Sequence, residues 1–259
     1  MKRLHLFEFG DQIWLPKILR KGLAMMLKAQ AESTYPLTAP TLQEFFLITG
    51  TKNVVDICAG SGGPWEKLLP ELRANGVCIS VSLTDKFPTK DSTTALPGLS
   101  FYPIPIDATD IPESLSGCRI FFTSFHHFRP PEARNILAST VESRQPIAIF
   151  EFTERKWQNL LGMALAPLVV WIQILKLKPI KWQWVLFTYF IPLLPLIYSW
   201  DGFVSHWRSY TSAELIEMTE KIPSNEYEWE TGTLTDAHTG GKIHYLLGWD
   251  KLNSCQLPV

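Results

Sequence analysis

The residues best placed to do chemistry lie in the first half of the chain, in Val54-Val55-Asp56-Ile57-Cys58-Ala59-Gly60-Ser61-Gly62-Gly63-Pro64-Trp65. A glycine cluster between an apolar run and a helix lets the backbone approach a ligand closely, and the helix start offers free amide groups. Such a loop alone is weak evidence, because a turn that binds nothing and a nicotinamide-binding loop share its features. Further along, Asp85 and Asp107 each end an apolar stretch. A carboxylate at such a strand end can accept hydrogen bonds from ribose hydroxyls. His126-His127 follow another strand, where an imidazole could serve as a general base, although the pair could equally be a packing motif. Glu151 and Glu154 could orient an acceptor or cap a helix. In Trp200-Asp201-Gly202-Phe203-Val204-Ser205-His206-Trp207-Arg208-Ser209-Tyr210, Asp201 could orient His206 as a base and Arg208 could hold an anion. The same groups could instead be ion pairs that pin the segment down.

These groups need a scaffold to bring them together, and the hydrophobic pattern describes one. Strands are predicted at Asn53–Cys58, Val77–Leu83, Leu99–Ile106, Arg119–Ser124 and Pro146–Phe152, alternating with helices at Trp65–Ala74 and Pro131–Glu142. That rhythm implies a parallel sheet wrapped by helices. Before it, apolar spacing predicts one or two amphipathic helices from Asp11 to about Ala31, broken or started by Pro16. Ser33–Pro36 reads as a loop before a helix over Leu42–Thr49. Thr211-Ser212 with Glu214 reads as a capped helix start. Tyr227–Gly232 and Lys242–Trp249 are candidate strands joined by the turn-rich Asp236–Gly241.

The pieces Asp56–Gly62, Thr84-Asp85, Ile106–Asp110 and Phe122–Phe128, in that order, resemble the class I S-adenosylmethionine-dependent methyltransferase superfamily. The resemblance runs from about Asn53 to Phe152 and extends towards Trp249. It implies an α/β, Rossmann-like class I methyltransferase fold. That means a mostly parallel seven-stranded sheet with an antiparallel edge hairpin, N-terminal helices and an apolar helical insertion after the fifth strand. It also implies the cofactor S-adenosyl-L-methionine. By the family pattern Asp56, Ala59, Gly60 and Gly62 flank the methionine moiety. Asp85 binds the ribose, Asp107 with Ala108 holds the adenine, and Phe125 and His126 lie beside the sulfonium. Cys58 stands where the family's first glycine usually does, which suggests ordinary backbone dihedrals there. His126, His127 and His206 are the candidate catalytic groups. Trp14, Glu151, Asp201, Arg208 and Tyr210 are the candidate acceptor-binding residues.

Composition sets outer limits. The 259 residues carry a formal net charge of -1, which gives no argument for a nucleic-acid partner. Cys58, Cys78, Cys118 and Cys255 are scattered, with no Cys-x-x-Cys pair to suggest zinc, and no metal is expected. They read as reduced thiols of a cytoplasmic protein, and the first residues do not read as a secretory signal. Residues 1–50 read as a helical cap, 51–156 as the cofactor-binding core, 157–200 as an apolar insertion and 201–259 as the rest of the core.

The insertion has two apolar runs, Leu160–Leu175 and Trp182–Tyr198, around three lysines, with no acid between Trp157 and Trp200. Each run falls short of the roughly 20 residues that a membrane span needs. Burying the lysine tip in hydrocarbon would cost several kcal/mol, on the order of 3 per lysine. We read the segment as a helical lid over a greasy acceptor, with peripheral membrane contact as the alternative and a merely enlarged core as the third reading. The activity expected is methyl transfer to a hydrophobic small-molecule or lipid-like acceptor. The rivals are a nicotinamide-dependent oxidoreductase, a membrane-associated scaffold and a cyclase that binds the cofactor without transferring its methyl group.

Overall fold

The computed structural model describes residues 1–88, 96–224 and 226–253, so Cys255 lies outside the described residues. The chain divides into two compact units. Unit 1 comprises Met1–Gln30 with Thr153–Tyr210, and unit 2 comprises Ala31–Phe152 with Thr211–Val259. These divisions do not follow the composition boundaries at residues 50, 156 and 200. The first break falls inside a continuous helix, α1 (Lys17–Thr34), which starts just after Pro16. Proline suits that position because its missing N–H would have no helical partner there.

Unit 2 holds the sheet. Its elements are α2 (Ala39–Thr49), β1 (Asn53–Ile57), α3 (Trp65–Ala74), β2 (Ser80–Thr84), β3 (Leu99–Phe101), β4 (Cys118–Phe122), α4 (Pro130–Glu142), β5 (Ile147–Glu151), α9 (Ser212–Glu220), β6 (Tyr227–Thr235) and β7 (Lys242–Asp250). The strand order is β3-β2-β1-β4-β5-β7-β6. β1 to β5 pair in parallel, and β7 lies antiparallel to both β5 and β6. The seven-stranded, mostly parallel sheet with an antiparallel edge hairpin is therefore present.

Burial explains why these segments form strands. β1 and β5 are almost wholly buried, as continuous apolar runs in a parallel sheet must be. Val54, Val81, Ile120, Ala148 and Phe150 meet Trp65, Leu68, Leu69 and Leu72 of α3 and Phe45 of α2 in one core. Each fully buried large side chain contributes about 2 kcal/mol. α9 opens with the expected cap: Thr211 Oγ1 accepts from Glu214 N at 3.2 Å, and Glu214 Oε2 accepts from Thr211 N at 2.9 Å.

Two expectations need revision here. The predicted strand Leu99–Ile106 stops at Phe101, because Pro103 and Pro105 have no N–H to give the ladder. The chain still returns to the sheet end, since Ile106 N donates to Asp85 O at 3.0 Å. Ser33–Pro36 is not a plain loop: α1 runs to Thr34 and a single 3₁₀ turn, Tyr35–Thr38, links it to α2.

Unit 1 is helical. It contains the first part of α1 with α5 (Trp157–Gly162), α6 (Ala166–Gln173), α7 (Trp182–Val185), a π-helical turn (Leu186–Phe190) and α8 (Leu193–Arg208). Leu19, Leu23 and Met26 form one stripe of α1 and pack on Val170, Ile174, Trp184, Leu194 and Ile197. Trp184 Nε1 donates to Ile18 O at 2.9 Å, which satisfies the buried indole. Gly22 permits that approach, because a Cβ there would stand 3.1 Å from the Trp184 ring nitrogen. Pro167 lies in the first turn of α6, Pro192 precedes α8 and Pro195 lies in α8's first turn. They start helices more than they break them.

Candidate functional site

In the parallel part of the sheet, the carboxyl ends of β1, β2, β4 and β5 line up in register, and β1 lies at the point where the strand order reverses. Ligands of open α/β sheets bind at that crevice. After β1 the chain turns through Cys58, Gly60, Gly62 and Gly63 with φ of 61°, 56°, 113° and 54°. Three of these are glycines, as left-handed backbone favours. Cys58 is a correction: it takes the left-handed conformation, not the ordinary dihedrals its side chain suggested. The turn holds that geometry although a β-carbon is present, at a cost of roughly 1–2 kcal/mol.

The loop is tied to its neighbours before any ligand arrives. Ala59 N donates to Thr84 O at 2.9 Å, and Gly62 N and Gly63 N donate to Ala59 O at 2.9 and 3.1 Å. Asp85 spans the gap between the β1 and β2 ends. Its Oδ2 accepts from Gly60 N at 2.8 Å and its Oδ1 from Phe87 N at 2.7 Å. Asp85 is half-buried, and each of these oxygens has a second lone pair. A Cβ built on Gly60 would meet nothing within 4 Å, so the loop's outer side is open.

Asp56 sits beneath this loop. It is 1% exposed, and its Oδ2 accepts from the indole Nε1 of Trp65 at 2.7 Å. Burial, opposed by the Trp65 hydrogen bond and reinforced by nearby Asp85, pushes its pKa up to about 8. Thr84 Oγ1 donates to Asp56 O at 2.9 Å and completes the platform.

Asp107 arrives beside the β2 end because Ile106 bonds there. Its Oδ1 accepts from Thr109 N and Oγ1 at 3.0 and 2.7 Å, and Lys86 Nζ lies 3.0 Å from its Oδ2. The Thr109 hydrogen bonds first, then Lys86, hold its pKa near about 2. Ala108 is buried.

After β4, Thr123 has φ of 43° and the 3₁₀ turn Phe125–His127 follows. Phe125 is buried, edge-on to Phe121 at 5.5 Å. His126 is buried as well. Its backbone N–H and ring Nδ1 engage the two oxygens of Glu151 at 3.1 and 2.9 Å. Glu151 is thus a partner of the imidazole at the end of β5. The bond favours a proton on Nδ1, which makes Nε2 the acceptor side of the neutral ring. His127 stacks on His126 with ring centres 4.4 Å apart.

The comparisons complement this geometry. No protein-family model matches the sequence, and no curated protein does. Among solved structures, the plantazolicin methyltransferase BpumL in complex with SAH is similar over 93% of this chain and 94% of its own, at 12% identity and a TM-score of 0.58. The fold is that of a class I S-adenosylmethionine-dependent methyltransferase. BpumL with SAH and a triazolic desmethylPZN analog gives a TM-score of 0.55 at 11% identity, over 89% of this chain and 91% of that one. TnmH gives 0.52 at 15% identity, over 93% of this chain and 62% of its own.

Within this methyltransferase fold, the remaining candidates belong to unit 1, and they do not form the expected acid-oriented base. Asp201 accepts from Phe9 N and Gly10 N at 2.7 and 2.9 Å. His206 Nδ1 lies 3.0 Å from both the backbone N and O of Glu154. Five residues apart on α8, Asp201 and His206 point about 140° away from each other. Burial raises the Asp201 pKa to about 7 against those two backbone bonds. Arg208 is 3% exposed and ion-paired to Asp11 at 2.8 Å and Glu8 at 3.3 Å, so the pinning role applies. Tyr210 is buried under the Arg3 guanidinium, 4.1 Å from its ring centre. Trp14 is exposed, edge-on to Phe9.

Three residues that brace the site were given no role from the sequence. Trp65 holds Asp56, Thr84 braces β1, and the buried Tyr35 OH bonds Thr123 Oγ1 beside the β4 end. Trp65 gave a signal as an indole at the first position of the helix after the glycines, and Thr84 as the neighbour of Asp85, whereas Tyr35 gave none.

Proposed function

We propose that the protein is an S-adenosylmethionine-dependent methyltransferase acting on a hydrophobic small-molecule acceptor. The observation that carries the reading is the clamp of Gly60 N by Asp85 beneath an open, left-handed glycine loop at the sheet's switch point. The residues fit the cofactor. Asp85 retains acceptor capacity for a ribose diol, the side-chain-free face of Gly60 leaves room for the methionine portion beside Ala59 and Gly62, and Asp107 with Ala108 would meet the adenine. Asp56 acts from below as a support for the loop. The bound cofactor supplies an activated methyl group on a sulfonium, and the protein's part is alignment in a site shielded from water. His126, oriented by Glu151, would take a proton from a hydroxyl or amine acceptor through Nε2. A carboxylate acceptor would need no base.

The nicotinamide-enzyme rival is disfavoured by β7, which lies antiparallel between β5 and β6 where a dinucleotide fold continues in parallel. Calorimetry with S-adenosylhomocysteine tests the proposal. Binding is expected, and Asp85→Ala should weaken it at least about tenfold, since a hydrogen bond to a charged group is worth about 1.5–3 kcal/mol. Absence of binding by correctly folded protein would overturn the reading. Labelled cofactor incubated with metabolite and lipid extracts would then identify the acceptor.

A further inference from the structure

The overall charge of -1 conceals a division. Unit 1 carries twelve Lys and Arg against four Asp and Glu, a formal +8, while unit 2 carries twelve against twenty-one, a formal -9. The few acids of unit 1 are already engaged. Glu8 and Asp11 pair with Arg208, Glu154 pairs with Lys156, and Asp201 accepts two backbone N–H groups. Lys176 and Lys178 stand exposed in a stretch without acids.

The same stretch shows apolar surface to solvent. α6 buries Ala166 and Val170 on one side, followed by Ile174, and exposes Leu168 and Ile172 on the other. A helix apolar on all sides needs an apolar neighbour on both. Beyond the lysines, Trp182 is 70% exposed and Phe190 77% exposed. Among the described residues of unit 2 the exposed large apolar side chains are only Leu47, Ile104, Ile216 and Leu252, scattered singly as is ordinary for a protein surface.

We infer that unit 1 docks on the surface of an anionic lipid bilayer, seating the exposed side of α6 and the α7–α8 bend among the acyl chains and its lysines against the headgroups. Among the described residues no single helix is long and apolar enough to cross a membrane. The one bent pair, Trp182–Phe190 with Leu193–Arg208, turns by 76°. Short apolar helices flanked by lysine and tryptophan lie in the interface plane. Other occupants fit less well. A second copy related by two-fold symmetry would set the same lysines and the same +8 unit face to face. A nucleic acid would satisfy the lysines but leave Leu168, Ile172 and Phe190 uncovered. The inference does not depend on the acceptor or the cofactor proposed above.

Sedimentation of the full chain with vesicles tests it. Binding is expected to vesicles of phosphatidylcholine with phosphatidylglycerol, weaker binding to phosphatidylcholine alone, and release as salt rises. The Lys176→Gln/Lys178→Gln variant should lose about 30-fold in partitioning. Leu168→Ser/Ile172→Ser/Phe190→Ser should lose binding with an unchanged circular dichroism spectrum, and Leu47→Ser should bind like the wild type. Brominated lipid should quench tryptophan fluorescence less in Trp182→Phe. No binding to the anionic vesicles at low salt would overturn the inference. So would a dimer in sedimentation velocity that the apolar variant dissociates without any vesicle binding, or tighter binding to single-stranded DNA than to the vesicles.

Discussion

Replacing Asp56 with asparagine should reverse part of the protein's pH dependence. The Asp56 carboxyl is 1% exposed, and burial lifts its pKa from the ordinary 3.8 to about 8. Between those values the unfolded chain is ionised at this position and the folded chain is protonated, so folding takes up a proton. Asp56's contribution is fully present below about pH 4 and is lost as pH rises towards 8, at about 1.4 kcal/mol per unit. From pH 5 to pH 7 the loss is about 3 kcal/mol. Asparagine cannot titrate, and its carbonyl can still accept the Trp65 N–H that Asp56 accepts at 2.7 Å. The variant should therefore gain about 3 kcal/mol on the wild type between pH 5 and pH 7. Urea unfolding of both proteins across that range, followed by circular dichroism, measures the difference, and the other titrating groups cancel in the subtraction. A difference that stays flat with pH would refute the reasoning, because it would mean that Asp56 is ionised in the folded protein.

Three further outcomes are expected. Cys58→Gly should be neutral or stabilising by up to about 1 kcal/mol in urea unfolding, because relief of the left-handed strain outweighs glycine's added chain entropy, whereas Cys58→Val should destabilise. Arg208→Ala should cost about 3–5 kcal/mol of stability, since it removes the cation from the buried Arg208–Glu8 pair; the same titrations report it. If the proposed methyl transfer uses a protonated acceptor, Glu151→Gln should lower kcat by about 10²-fold or more and move its pH profile, with S-adenosylhomocysteine affinity held within a few-fold.

Much of the sheet was legible because parallel strands are continuous apolar runs, and helix α3 could be read from its 3.6-residue spacing between the glycines and Gly76. β3 was overextended because its apolar pattern continues past Phe101, while pattern alone is blind to the donors that Pro103 and Pro105 lack. In the site, strand ends located Asp85 and His126. The partnership of His126 with Glu151 depends on β4 and β5 being neighbours, which only the sheet order reveals. The Asp201–His206 pairing failed for an angular reason: helical neighbours recur at three or four residues, not five. The charge division between the units was hidden because each unit is assembled from separated stretches of chain, so opposite excesses cancel in any whole-chain sum.

That interleaving matters during synthesis. Leu19, Leu23 and Met26 of α1 have their partners in residues 170–197, which follow all the parallel strands along the chain. At about 5–20 residues per second, the ribosome leaves a basic helix with a bare apolar stripe waiting on the order of ten seconds for its counterpart. The nascent chain therefore carries an adhesive segment while the sheet forms behind it, a stage at which chaperone capture or premature attachment to a lipid surface competes with folding.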